Sequence, residues 1–239
     1  QQPGIADYQG VTAAVNLADM TGAAAIYSDS GWQQSPVALR ATAEAMYALT
    51  TAQAFALTTA QIGALTTDQA AALGTADLRA LGTAAIDALT SADLNALSTT
   101  QVAAFTTTQV AALTTAQVSS LATASLDALT TAQFAALTTT QVAALTTDQV
   151  ANLQTADFVA LTTSQIHALG TDQVVALTTT EVAAMATAQV NALTTTDIAA
   201  LTTDQVAALS TTDLRSLSTV SLDALTTSQL NALATDHVA

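Results

Sequence analysis

The chain has 239 residues and 24.0 kDa, with 3 Lys+Arg against 18 Asp+Glu, a formal charge of −15, no Cys, and a 51% hydrophobic fraction that is almost free of aromatic residues. Negative charge on that scale opposes sequence-independent attraction to nucleic acid or to an anionic membrane surface, and without Cys there is no disulfide scaffold, no Cys-ligated zinc and no thiol catalysis. No apolar run approaches the roughly 18 to 20 residues that span a bilayer, so membrane insertion is not expected.

Residues 1–40 differ in kind from the rest of the chain. Tyr8, Tyr27 and Trp32 lie here with both prolines and half of the glycines. Gly10, Gly22 and Gly31 punctuate a segment, Val11 to Tyr27, that reads equally as a strand or a short helix. Residues 41–48, ATAEAMYA, read as an atypical first repeat, with Met46 and Tyr47 covering the end of the core as terminal repeats do. The chain opens on Gln1 rather than Met, which fits a processed product and a removed export signal.

From Leu49 to Leu233 a large apolar residue returns at every eighth position, 24 times without an insertion; only Phe105 and Met185 replace Leu. The consensus is L-T-T-x-Q-V-x-A. With Leu as slot 1, slot 3 is Thr in 23 of 24 units and slot 6 is Val or Ile in 14. Such strict spacing means that each unit meets its neighbours in the same way, which is the pattern of a solenoid. One continuous helix is excluded, because eight residues at about 100° each set successive Leu side chains some 80° apart. A plain alternating strand is excluded too, since slots 1 and 6 differ in parity and would face opposite sides. Each unit therefore needs two conformations: a helix of about six residues and a tight connection.

Thr at slot 3 is the expected N-cap, with slots 4 to 8 and the next Leu helical. A cap at slot 2 is the alternative, because Gln at slot 5 would then close a capping box; slot 3 is preferred because seven units lack a hydroxyl at slot 2. Of the 14 array carboxylates, 11 fall at slots 4 and 5, where the free N–H groups of a first helical turn favour anions. The expected fold is all-α: an α-solenoid with one short helix per octad over residues 41–239, a Leu/Val/Ala interior, and Thr, Gln and Asp outside. A β-solenoid is the alternative. A helix this short is unstable alone, so stacking must hold it.

Strings such as ALTTAQVS at 112–119 and ALTTDQVA at 144–151 resemble the long ALTTxQV octapeptide arrays of large bacterial secreted or cell-surface proteins, some with adhesin-like labels. The resemblance covers residues 48–239 and implies export and a structural or adhesive role. The segment L-T-x-x-Q-V-x-A is also similar to the helix-opening part of TAL-effector repeats, but the longer repeat, base-reading loops and basic faces of that family are missing, so DNA binding does not transfer.

No catalytic residue and no cofactor is expected. His167 and His237 are the only His, and the glycine-aspartate pattern of calcium-binding secretion repeats is absent. The leading expectation is a non-enzymatic, exported subunit of an extracellular filament, sheath or adhesin stalk, a homopolymer joined head to tail. Its candidate subunit contacts are Tyr8, Tyr27, Trp32 and Tyr47 at one end and Leu233 and Val238 at the other. The alternatives are a surface module that binds a host glycan or protein, and an ice-binding Thr array.

Overall fold

A computed structural model describes residues 46–47 and 49–236, with side chains through Leu233. The N-terminal segment 1–40 and most of the atypical unit 41–48 lie outside these residues, as do Tyr8, Tyr27, Trp32 and Val238. Among the described residues there are 23 helices and no strand. The fold is an α-solenoid of short repeats, and the β-solenoid alternative is overturned.

One helix forms per octad, four to six residues long except for the last, Thr227–Asp236, of ten. The N-cap is slot 2 and not slot 3. Thr138 is typical: its hydroxyl accepts from the Gln141 backbone N–H at 3.2 Å, while Gln141 Oε1 accepts from the Thr138 N–H at 2.7 Å. This reciprocal pair satisfies two donors that a helix start otherwise leaves bare. The helix begins one residue earlier than expected because the slot-5 side chain fixes it. At two of the units whose slot 2 carries no hydroxyl, that side chain caps alone: Gly170 N–H donates to Gln173 Oε1 at 2.7 Å, and Ala186 N–H to Gln189 Oε1 at 2.8 Å. Carboxylates at slots 4 and 5 do occupy the first turn, as with Asp68, Asp148 and Asp204.

The connection between helices is two extended residues. Leu81 has φ −60° and ψ 136°, and the next cap, Gly82, has φ −69° and ψ 159°. Neither value is left-handed, so Leu and Thr make this turn without strain and glycine is not required.

The described residues fall into two compact units, one ending at Phe105 and one beginning at Thr106. Within each, a helix packs on the helix three further along. In the first, Thr67–Ala71 meets Ser91–Ala96; in the second, Thr147–Ala151 meets Thr171–Ala176, and Thr203–Ala208 meets Thr227–Asp236. Hydrogen bonds between successive layers span 25 to 31 residues, so the chain comes back over itself after between three and four octads. Slots 1 and 6 form the core, as expected. From Ala54 to Val206 every slot-6 side chain is 0–1% exposed, each contributing on the order of 1.5 to 3 kcal/mol when it is a full-sized apolar group.

Candidate functional site

The polar residues of slot 5 are inside, not outside. Gln109, Gln141, Gln165, Asp197 and Gln205 are all buried, as is Glu181. A buried carboxamide must satisfy both its ends, and in this fold it does. Its Oε1 caps its own helix, and its Nε2 turns back to the preceding layer. Gln141 Nε2 donates to the carbonyls of Val110 at 2.9 Å and Leu113 at 2.6 Å, 31 and 28 residues earlier. Gln149, Gln165, Gln173, Gln205 and Gln229 repeat the pair at the same two spacings. In the first unit Gln101 reaches Ala71 and Leu73 in the same manner. One side chain thus starts a helix and ties it to the layer before.

Carboxylates at slot 5 keep the first task and lose the second, since they have no N–H to give. Asp197 and Asp213 accept instead from the slot-3 hydroxyls of Thr171, at 3.0 Å, and Thr187, at 2.7 Å. Glu181 is one methylene longer. Its Oε2 accepts from the Thr178 N–H and hydroxyl, both at 2.7 Å, while its Oε1 is buried without a hydrogen-bond partner.

Burial pushes the carboxyls of Asp77, Asp127 and Asp157 above the ordinary 3.8; for Asp77 the Gly74 N–H opposes this, and for Asp157 the Asp127 charge adds to it. A carboxyl whose folded value is raised binds its proton more tightly in the fold, so its ionisation destabilises the fold as pH rises above 3.8. Asp157→Asn is therefore expected to stabilise at pH 7, with the gain vanishing below about pH 3.8. Denaturant titrations of both proteins across that range check it; a gain that persisted at low pH would contradict the electrostatic cause.

The glycine caps separate into two kinds. A Cβ on Gly74 would stand 2.8 Å from Asp77 Oδ2, whereas one on Gly170 would lie an ordinary 3.6 Å from Gln173 Oε1. Gly170→Thr completes a capping box and is expected to stabilise by about 0.5 kcal/mol. Gly74→Ala is expected to destabilise by about 1 kcal/mol through the displaced carboxylate. Thermal unfolding of the two variants reads the opposite signs.

The first and last described octads differ from those between them. Gln53, Gln61 and Gln69 are half-exposed although they cap their helices like the others, and no acceptor among the described residues meets their Nε2. At the far end slot 6 opens: Leu214 is half-buried, Leu222 is 39% exposed and Leu230 48%. Slot 5 therefore faces the layer before and slot 6 the layer after. Of the sequence-predicted contacts, Tyr47 is 72% exposed and Leu233 is half-buried. Sequence reasoning did not single out Gln53, Gln61, Gln69, Leu222 and Leu230, because each falls in an ordinary position of its octad.

A further feature lies on the surface. A groove beside His167 is lined by Thr163, Ser164 and Asn191, with the His167 Nδ1 3.0 Å from the Ala192 carbonyl oxygen. Among the described residues, no three His, Cys, Asp or Glu are gathered where they could hold a metal ion, and no helix is long and apolar enough to cross a membrane.

A family model described as the ALTTAQ repeat matches seven times, at residues 46–75, 70–107, 88–123, 119–155, 150–187, 179–211 and 206–239. The chain belongs to the ALTTAQ repeat family. No curated protein and no solved structure matches it. Each ALTTAQ match spans between three and five octads, about the length needed to bring one slot-5 amide over the carbonyls it binds.

Proposed function

We propose that this ALTTAQ repeat protein is a non-enzymatic structural subunit, exported and assembled head to tail into an extracellular filament, sheath or adhesin stalk. The observation that supports it most directly is the ladder, in which slot-5 amides of one layer meet carbonyls of the layer before at the same two spacings step after step. An interface made in the same way at every layer contains nothing that stops it, and a contact between two different ends that does not close generates an open polymer. The acidic, Lys-free, Thr-rich surface fits the export that the octad resemblance implies. In this reading residues 1–40, with Tyr8, Tyr27 and Trp32, clasp the neighbouring subunit.

Negative-stain electron microscopy of the 239-residue chain over a concentration series tests the reading. Long fibres are expected, with short soluble species once residues 1–40 are deleted. Dispersed monomers at every concentration would overturn the assembly, and fibres that survive the deletion would remove the clasp. The groove beside His167, rich in hydroxyl and amide groups, favours a second reading in which the array binds a glycan or protein of a host or surface.

A further inference from the structure

Among the described residues, the one buried side-chain oxygen without a hydrogen-bond partner is Glu181 Oε1, on a side chain 1% exposed. The ladder says what it faces. Glu181 Oε2 caps Thr178 as the Oε1 of a slot-5 Gln caps its own helix, so Oε1 is turned to the layer before, as Nε2 is in Gln173 and Gln189 on either side. At the common spacings of 31 and 28 residues the carbonyls there are those of Val150 and Leu153. In the Gln layers an N–H stands between these oxygens, and Glu181 has none to give. Asp197 and Asp213 meet the same difficulty by accepting from a hydroxyl 26 residues earlier. The residue so placed for Glu181 is Thr155, half-buried, whose hydroxyl makes no bond to Oε1.

The charge is uncompensated as well. The helices packed against Thr179–Ala184, which carries Glu181, are Thr155–Val159 and Thr203–Ala208; they bring Asp157 and Asp204 and no Lys, Arg or His. A carboxylate buried in such a setting is stabilised by a counter-ion. We propose that Glu181 Oε1, the Val150 and Leu153 carbonyls and the Thr155 hydroxyl hold a monovalent alkali cation, sodium or potassium. One carboxylate with three neutral oxygens matches a single positive charge, whereas calcium takes about six to eight oxygens and magnesium keeps several of its waters. Backbone carbonyls replace the hydration shell of an alkali ion. The cation does for this layer what the Nε2 hydrogens do for its neighbours, joining slot 5 to the carbonyls before it.

Hydrogen exchange at the Thr178 amide, which Glu181 Oε2 holds at 2.7 Å, reads the site. The full chain is measured in choline chloride, sodium chloride and potassium chloride at equal ionic strength, so that screening is the same in all three. In sodium or potassium chloride exchange is expected to slow by about tenfold for each tenfold rise of the free cation above its Kd. Glu181→Gln installs the common slot-5 residue and is expected to exchange at one rate in all three salts. Glu181→Asp keeps the charge but takes the form of Asp197, whose second oxygen accepts from a hydroxyl, and it too is expected to ignore the cation. Both residue types already occupy slot 5 in neighbouring octads, so folding is preserved. A parent chain that exchanges alike in all three salts overturns the site. So does a Gln or Asp variant that responds as the parent does, since the effect then comes from the acidic surface at large or from charge alone.

Discussion

Gln165→Leu is expected to cost about 3 kcal/mol, far more than a conservative-volume change on a helix of five residues would suggest. The side chain is buried and makes three short hydrogen bonds, with a longer one from Nε2 to the Ala135 carbonyl at 3.5 Å. Its Oε1 accepts from the Thr162 N–H at 2.6 Å, and its Nε2 donates to the carbonyls of Leu137 at 2.6 Å and Phe134 at 3.0 Å. The Gln165 backbone N–H in turn donates to the Thr162 hydroxyl at 3.3 Å. Leu fills the space but removes the three side-chain bonds, leaving a helix-start donor bare and two buried carbonyls short of a partner at about 1 kcal/mol each. Ser164→Ala, one residue away on the exposed slot 4, is the control and is expected to lie within about 0.5 kcal/mol of the parent. Because repeat arrays open locally, hydrogen exchange at the Thr162 amide reports the loss most directly. Equal protection in both variants would show that the Gln165 side chain does not hold this helix start.

The second large effect has the opposite sign. Glu181→Gln is expected to stabilise the protein by about 2 kcal/mol, by supplying two hydrogen bonds where a buried carboxylate oxygen now has none. In the register of the ladder the carbonyls 31 and 28 residues before Glu181 are those of Val150 and Leu153. A Gln Nε2 would donate to both, and its Oε1 would keep the Thr178 N–H that the Glu181 Oε2 holds now. The midpoint of denaturant unfolding checks the gain. A midpoint that stayed level or fell would mean that slot 5 is not a single geometry throughout the array.

Much of this fold can be read from spacing. The period of eight, the absence of insertions and the failure of both continuous helix and plain strand lead to one short helix per octad, and the anions of Asp68 and Asp148 are in the first turn, where free N–H groups favour them. The cap lies one residue before its expected place because Gly74, Gly82 and Gly170 make slot 2 look unfit, although a slot-5 side chain can cap a backbone N–H with no help from slot 2. The larger miss is the burial of Gln141 and its counterparts. Within one octad Gln is a polar residue beside a Thr-rich surface, and nothing local separates a solvated amide from one aimed at a carbonyl 28 residues back. The clue in the sequence is the recurrence of T-x-x-Q itself, which a solvated face does not need. Leu222 and Leu230 stand partly in water where the slot-6 side chains up to Val206 are covered, and nothing within their own octads marks that difference.

The connection of two ordinary extended residues, together with a ladder that recognises slot types rather than individual residues, has a consequence for how such a gene can change. Removing or duplicating any whole number of octads leaves every surviving side chain facing a partner of the same kind. Unequal recombination within the coding sequence would then lengthen or shorten the protein without a folding penalty, whereas the insertion or loss of a single codon would misplace everything beyond it. Length, in this architecture, is a freely heritable variable.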